Sequence, residues 1–198
     1  NAGIGWGGSC FGKDLNAIIS IANEYDYSPD LLQSTITVNQ KQRQIIIKKL
    51  QSVLKIVKGR TIGILGIAFK PNTDDLRDAP SLTIINQLIK MGAKVKAYDP
   101  IAMDNCIKEN PCLNISYAGD PYELASGCDA VILVTEWDEF IHLDLEKVKG
   151  NMSYPVFIDT RNVISPQNAQ QAGLRLYQIG RTSNLENSVF EGNYAISK

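Results

Sequence analysis

Apolar residues in the first third of the chain recur at helical spacing, whereas from Arg60 onward short β-rich runs alternate with helical ones. Gly5, Gly7 and Gly8 make the opening stretch a loop, and Leu15, Ile18, Ile19 and Ala22 then fall on one face of a predicted helix from Asp14 to Tyr25. Ser28-Pro29-Asp30 is a second start signal: Ser28 is the expected N-cap, Pro29 suits the first helical position, and Asp30 is favoured by the helix dipole. The helix it opens should run to about Val57. It carries one stripe at Leu31, Leu32, Thr35 and Val38 and another at Ile46, Leu50, Val53, Leu54 and Val57. Two readings stay open, a spine that joins two domains and forms a subunit contact, or an ordinary packed helix.

The runs expected as strands are Thr61 to Leu65, Lys94 to Tyr98, Ile115 to Ala118, Ala130 to Thr135, Val156 to Asp159 and Leu174 to Ile179. Helices should open at Pro80, at about Ile101, at Pro121, after Trp137 and at Ser165-Pro166, with Gly92 ending the first of them. Such alternation implies an α/β fold: a helical segment over 1–58, then a Rossmann-like, doubly wound, mainly parallel sheet over 59–198. The tail from Thr182 to Lys198 shows little periodicity and reads as mobile or docked elsewhere.

Composition adds limits rather than a ligand. A chain of 198 residues, 44% apolar and 21% charged, is an ordinary globular protein able to bury a core. Its net charge of −1 gives no reason to expect nucleic acid or an anionic membrane as partner. Apolar runs such as Ala130 to Thr135 fall far short of the ~20 residues a membrane span needs, and no charged leader precedes one, so the reading is cytoplasmic. Cys10, Cys106, Cys112 and Cys128 lack CxxC spacing, and the single histidine, His142, offers them no partner; a zinc site is not expected. Cys106, Cys112 and Cys128 are assigned to packing. The start at Asn1, directly before a glycine cluster and with no initiator methionine, suggests a fragment.

Cys10 stands apart because of its neighbours. In Gly5-Trp6-Gly7-Gly8-Ser9-Cys10-Phe11-Gly12-Lys13-Asp14 the glycines let backbone amides approach an oxyanion or phosphate. A thiol at a helix N-terminus beside Lys13 occupies a nucleophile's environment, and Asp14, one turn on, can orient a water or accept a proton. By spacing alone a structural turn with a buried cysteine fits equally well. A second segment, Gly66 to Ser81, follows the first strand, where open parallel sheets bind ligands, and places Lys70 and Arg77 within reach of pyrophosphate oxygens; a charged surface loop is the plain alternative. Neither a GK[ST] nor a GxGxxG spacing occurs here, since Gly63-Ile64-Leu65-Gly66 has the wrong interval.

These two segments closely resemble the GGSCFxKD and AFKxxTDDxRxSPS signatures of the UDP-glucose and GDP-mannose dehydrogenase family. Weaker matches are Asp99-Pro100, similar to the family's YDP, and Asp159-Thr160-Arg161-Asn162, similar to its IDxRN. The resemblance covers nearly the whole chain except about the last dozen residues. It implies that Cys10 is the nucleophile, that Asp14 assists the hydrolytic water, and that Gly7, Lys70 and Arg161 contact the sugar nucleotide. Lys13 and Arg77 would contact NAD, and Arg161 has an interdomain salt bridge as its alternative role. Gly12 stands where many members carry proline, and Ala79 where serine is frequent.

What the resemblance implies for chemistry is oxidation of the C6 alcohol of a UDP-hexose to a carboxylate with two NAD molecules in succession, through a thiohemiacetal and a thioester on Cys10. The expected partners are a UDP-sugar, an N-terminal NAD-binding domain that this chain lacks, and a second copy in a homodimer. Held only by Lys13 and Arg77, the cofactor should bind weakly, so the chain alone is expected to turn over little or no substrate. Phe11 leans toward UDP-glucose over GDP-mannose or an N-acetylated UDP-sugar. A non-catalytic nucleotide-sugar-binding or dimerisation module is the rival from another class, against which the trio Cys10, Lys13 and Asp14 argues.

Overall fold

In the computed structural model, residues 3–181 are described; the segment from Thr182 to Lys198 lies outside them. Two helices come first, α1 (Phe11–Glu24) and α2 (Asp30–Leu54). They are followed by β1 (Thr61–Leu65), α3 (Pro80–Lys90), β2 (Lys94–Tyr98), α4 (Met103–Glu109), β3 (Ser116–Tyr117) and α5 (Pro121–Ala125). The remainder is β4 (Ala130–Leu133), α6 (Asp138–Ile141), α7 (Leu145–Asn151), β5 (Val156–Asp159), α8 (Pro166–Gln171) and β6 (Arg175–Gln178). Every strand pairing is parallel, in the order β3-β2-β1-β4-β5-β6. That order reverses direction between β1 and β4, and right-handed crossovers then put α3 and α4 on one face and the later helices on the other.

The central strands are apolar on both faces, as parallel strands under two helical layers must be: β4 and β5 are buried at every position. Gly63 in β1 is closely covered, because a Cβ there would come 2.6 Å from Leu124 of α5. On the helical side, Ile46, Ile47, Leu50 and Leu54 of α2 are buried in the same core cluster as the sheet, and α2 packs on α3. The earlier stripe behaves differently. Leu31 is 79% and Val38 54% exposed, as are Ile18 (52%), Ile21 (55%) and Tyr25 (81%), leaving an apolar face on α1 and α2 uncovered.

Several boundaries move for local reasons. The hydroxyl of Ser28 donates to the Asp30 carboxylate (2.7 Å) instead of capping, and Pro29 is the boundary residue. α2 stops at Leu54, not Val57, because Lys55 turns left-handed (φ +61°); Val57 still reaches the core beyond the helix. α1 begins at Phe11, three residues earlier than expected, and α4 at Met103, after Ile101. β3 and β4 are shorter than expected, and α7 was not expected at all; the Asp144 side chain starts it by accepting from the Lys147 amide (3.0 Å). Cys106 and Cys128 are buried, where desolvation raises the first thiol and lifts the second to about 11. Cys112 is exposed, so its assignment to packing is corrected. No helix among the described residues is long and apolar enough to cross a membrane.

At the carboxyl end of β2, the fully buried Asp99 holds the switch point together. One oxygen accepts from the amides of Ile67 (2.7 Å) and Ala68 (3.0 Å) and from Trp137 Nε1 (3.1 Å); the other accepts from the amides of Ile101 (3.0 Å) and Ala102 (2.8 Å). Removing that carboxylate strands five donors away from water. Asp99→Ala should therefore lower unfolding free energy by about 3 kcal/mol or more in urea titrations, and a loss below about 1 kcal/mol would contradict this role.

Candidate functional site

Backbone contact joins the two motif loops. The Gly8 amide donates to the Arg77 carbonyl (2.9 Å), and a Cβ on Gly7 would lie 2.5 Å from the Asp78 carbonyl oxygen and 3.0 Å from Pro80 Cδ, so only glycine permits this approach. Gly8 is left-handed (φ +88°) and faces the Phe69 ring at 2.8 Å from a built Cβ. Together these contacts deliver Cys10 to the N-terminal boundary of α1. The thiol is exposed, its Sγ 3.5 Å from Ser9 Oγ, and its carbonyl accepts from the Asp14 amide (2.9 Å). Asp14 sits exposed on the first turn and its carboxylate makes no hydrogen bond among the described residues. Trp6 and Phe11 meet edge to face at 4.8 Å across the loop. Gly12 has open surroundings, the nearest atom to a built Cβ being Trp6 Nε1 at 3.8 Å, so the departure from proline there costs no contact.

On the second loop, the exposed Arg77 is held by Asp75 through Nε (2.9 and 3.2 Å) and Nη2 (2.7 Å). That bidentate bond is the main reason the Asp75 carboxyl lies below its ordinary value of 3.8, and it holds the Arg77 guanidinium more firmly protonated, with the nearby Cys10 adding to that effect. Lys70 is exposed, its Nζ 5.3 Å from the centroid of Phe69. Ala79 precedes α3 without a capping side chain, while the Ser81 hydroxyl donates to the Ile67 carbonyl and ties the start of α3 back to the end of β1.

Two residues of α2 that sequence reasoning passed over connect these parts. Asn39 forms a reciprocal pair with the Trp6 backbone, accepting from its amide (2.8 Å) and donating to its carbonyl (3.2 Å). One turn later, the buried Arg43 donates to Asp78 Oδ1 (2.7 Å), Thr83 Oγ1 (3.0 Å), the Trp6 carbonyl (2.8 Å) and the Asp78 carbonyl (3.2 Å). The available signal was spacing, because Asn39 and Arg43 continue the buried face of Ile46, Ile47 and Leu50.

Between α1, α2 and α3 lies a cleft of about 750 Å³ whose lining includes Lys13, Asn39, Arg43 and Arg77, with Ser9 and Gly12 flanking Cys10. The structure thus brings Lys13 and Arg77 to one cavity, a pair of cations suited to a pyrophosphate. Lys70 and Arg161 do not line it; they follow β1 and β5 at the carboxyl end of the sheet. Arg161 pairs with Glu136 (2.5 Å), both largely buried, and its guanidinium lies against Gly3, leaving Nε without a partner among the described residues. The salt bridge that Arg161 forms is thus to the loop after β4, within the 59–198 unit, and not the interdomain one weighed for it. Asp159 supports this end of the sheet by accepting from the amides of Arg161 (2.9 Å) and Ile164 (2.8 Å) and from Gln178 Nε2 (2.9 Å).

Because the folded-state value of Asp75 is depressed, its pair with Arg77 is intact at neutral pH and weakens only as pH falls through that depressed value. Arg77→Ala should return the Asp75 titration, followed by carboxyl-carbon NMR, toward 3.8; an unchanged midpoint would show that another group holds it down.

Residues 63–166 match the model of the UDP-glucose/GDP-mannose dehydrogenase family, UDP binding domain, and residues 1–41 that of the family's central domain. UDP-glucose 6-dehydrogenase TuaD of Bacillus subtilis is 46% identical over 91% of this chain and 39% of its own length; UDP-glucose 6-dehydrogenase of Pseudomonas aeruginosa is 37% identical over 91% and 41%. A solved UDP-glucose dehydrogenase from Pyrobaculum islandicum superposes with a TM-score of 0.77 at 30% identity, covering 89% of this chain and 38% of that one. The chain thus spans about two fifths of the length of the curated relatives it matches. With more than half of its residues on the UDP-binding model and its opening loop on the central one, the chain belongs to the UDP-glucose/GDP-mannose dehydrogenase family.

Proposed function

We propose that this chain is the part of an NAD-dependent UDP-glucose 6-dehydrogenase that holds the sugar nucleotide and supplies the thiol of the second oxidation. The observation that carries the reading is the contact of Gly7 and Gly8 with Arg77 and Asp78, which sets Cys10, Lys13 and Arg77 around one region. Relatives named UDP-glucose 6-dehydrogenase at up to 46% identity support the sugar. In this reading residues 1–58 form the central helical unit and 59–198 the UDP-sugar-binding one.

The cofactor fits the chain's own chemistry: Lys13 and Arg77 are cations on one cleft, and they would take the pyrophosphate of NAD, which when bound accepts hydride. Gly7 would lie along the sugar nucleotide, while Lys70 and Arg161, at the carboxyl ends of β1 and β5, would bind its phosphates and sugar. The Cys10 sulfur adds to the carbonyl carbon of the C6 aldehyde as the C=O π bond breaks, and the thiol proton passes to the oxygen, leaving that carbon tetrahedral as a thiohemiacetal. Once the carbon has been oxidised to a thioester, a water oriented by Asp14 attacks it; Asp14 takes the proton, the C–S bond breaks, and the carboxylate leaves with the thiol restored. The uncovered apolar face of Ile18, Ile21, Tyr25, Leu31 and Val38 is assigned to the contact with a second copy and with the N-terminal NAD-binding domain of the whole enzyme.

Calorimetric titration with UDP, UDP-glucose and GDP-mannose tests the substrate half. Uridine compounds should bind selectively, Lys70→Ala should weaken them about tenfold or more, and equal or stronger binding of GDP-mannose would contradict the assignment.

A further inference from the structure

Arg43 bonds to both motif loops from outside them, to Trp6 of the first and to Asp78 of the second, and its position is not explained by helix packing. α2 is already anchored on the core through Ile46, Ile47, Leu50 and Leu54, all buried. Its partner Asp78 has a side chain 46% exposed, so the ion pair is partly screened by solvent. What the guanidinium does add is geometry. Asp78 is left-handed (φ +50°), a conformation aspartate adopts more readily than most side chains but does not prefer, and Arg43 grips it at both the carboxylate and the carbonyl while also holding the Trp6 carbonyl. Asp78 directly follows Arg77, whose carbonyl receives the Gly8 amide two residues before Cys10. The left-handed turn therefore aims the Arg77 carbonyl at the thiol loop, and Arg43 holds the turn.

We infer that Arg43 is a positioning residue: through Asp78 and Trp6 it keeps the Cys10 loop and the Arg77 loop in register, so that thiol reactivity and the cation beside it are set together. The inference rests on the proposed reading in taking Cys10 as the reacting group and Arg77 as the neighbouring phosphate ligand. Arg43 itself touches neither.

The chain's four cysteines test this directly. Alkylation of the purified chain by iodoacetamide, followed by mass spectrometry, gives separate rates for exposed Cys10, exposed Cys112, and buried Cys106 and Cys128. Arg43→Lys should slow Cys10 about fivefold or more relative to Cys112, because lost alignment is felt at the reacting atom. Asp78→Asn, a milder change at a half-exposed site, should do the same, and the double variant should slow Cys10 no further, since both changes break one link. A role confined to stability would instead speed Cys106 and Cys128, which label only when the core opens. An unchanged Cys10 to Cys112 ratio in either variant, losses that multiply in the double variant, or acceleration confined to the buried thiols overturns the inference. Failure of the dehydrogenase reading would show separately, as no binding of uridine nucleotides by a wild-type chain.

Discussion

The grip of Arg43 on a left-handed Asp78 and on the Trp6 carbonyl is the constraint around which the candidate site is arranged. Neither loop is part of a helix or strand, although the second is braced internally by bonds such as Phe69 amide to Asp75 carbonyl (3.2 Å). The thiol loop borrows its partners from Asn39, Arg43 and the Arg77 carbonyl, and the second loop borrows from Asp99 and Arg43. A helix anchored in the core thus supplies fixed partners to both segments. Glycines at positions 7 and 8 are the other half of the same constraint, since side chains there would collide with Asp78 and Phe69.

Buried carboxylates do the corresponding work at the carboxyl end of the sheet. Asp99 collects amides from the ends of β1 and β2 and the indole of Trp137, and Asp159 collects those that turn the chain after β5. Both are acceptors only, and both spend their lone pairs on the frame. The Arg161 guanidinium is shared with Glu136 and pressed against Gly3, so it links the end of the sheet to the approach of the thiol loop.

Much of this frame was legible because parallel strands buried on both faces read as short apolar runs between punctuating residues. β1, β2 and β5 have the expected ends, and Pro80 opens α3 as its fixed φ requires. The motif residues Cys10, Lys13 and Arg77 were singled out by residue order, whereas the meeting of Lys13 and Arg77 on one cleft needed the fold. What escaped notice did so for physical reasons. A charged residue on a long helix reads as solvated, and only the buried stripe it continues marks Arg43 as an inward group. Lys55 and Asp78 adopt left-handed conformations that their residue types do not announce, so neither the end of α2 nor the turn after Arg77 could be placed. α7 was hidden because its cap, Asp144, follows an aromatic and acidic stretch with no strong helical period.

The Gly8 amide reports most directly on whether this link is what keeps the loops together, because its hydrogen bond to the Arg77 carbonyl forms only when they are in register. Native-state hydrogen exchange followed by NMR should show Gly8 protected in the wild type and exchanging at least about tenfold faster in Arg43→Gln, with Ile64 in β1 unchanged. Equal protection of Gly8 in both proteins would mean that the loops hold each other without Arg43, and the account would fail at its centre.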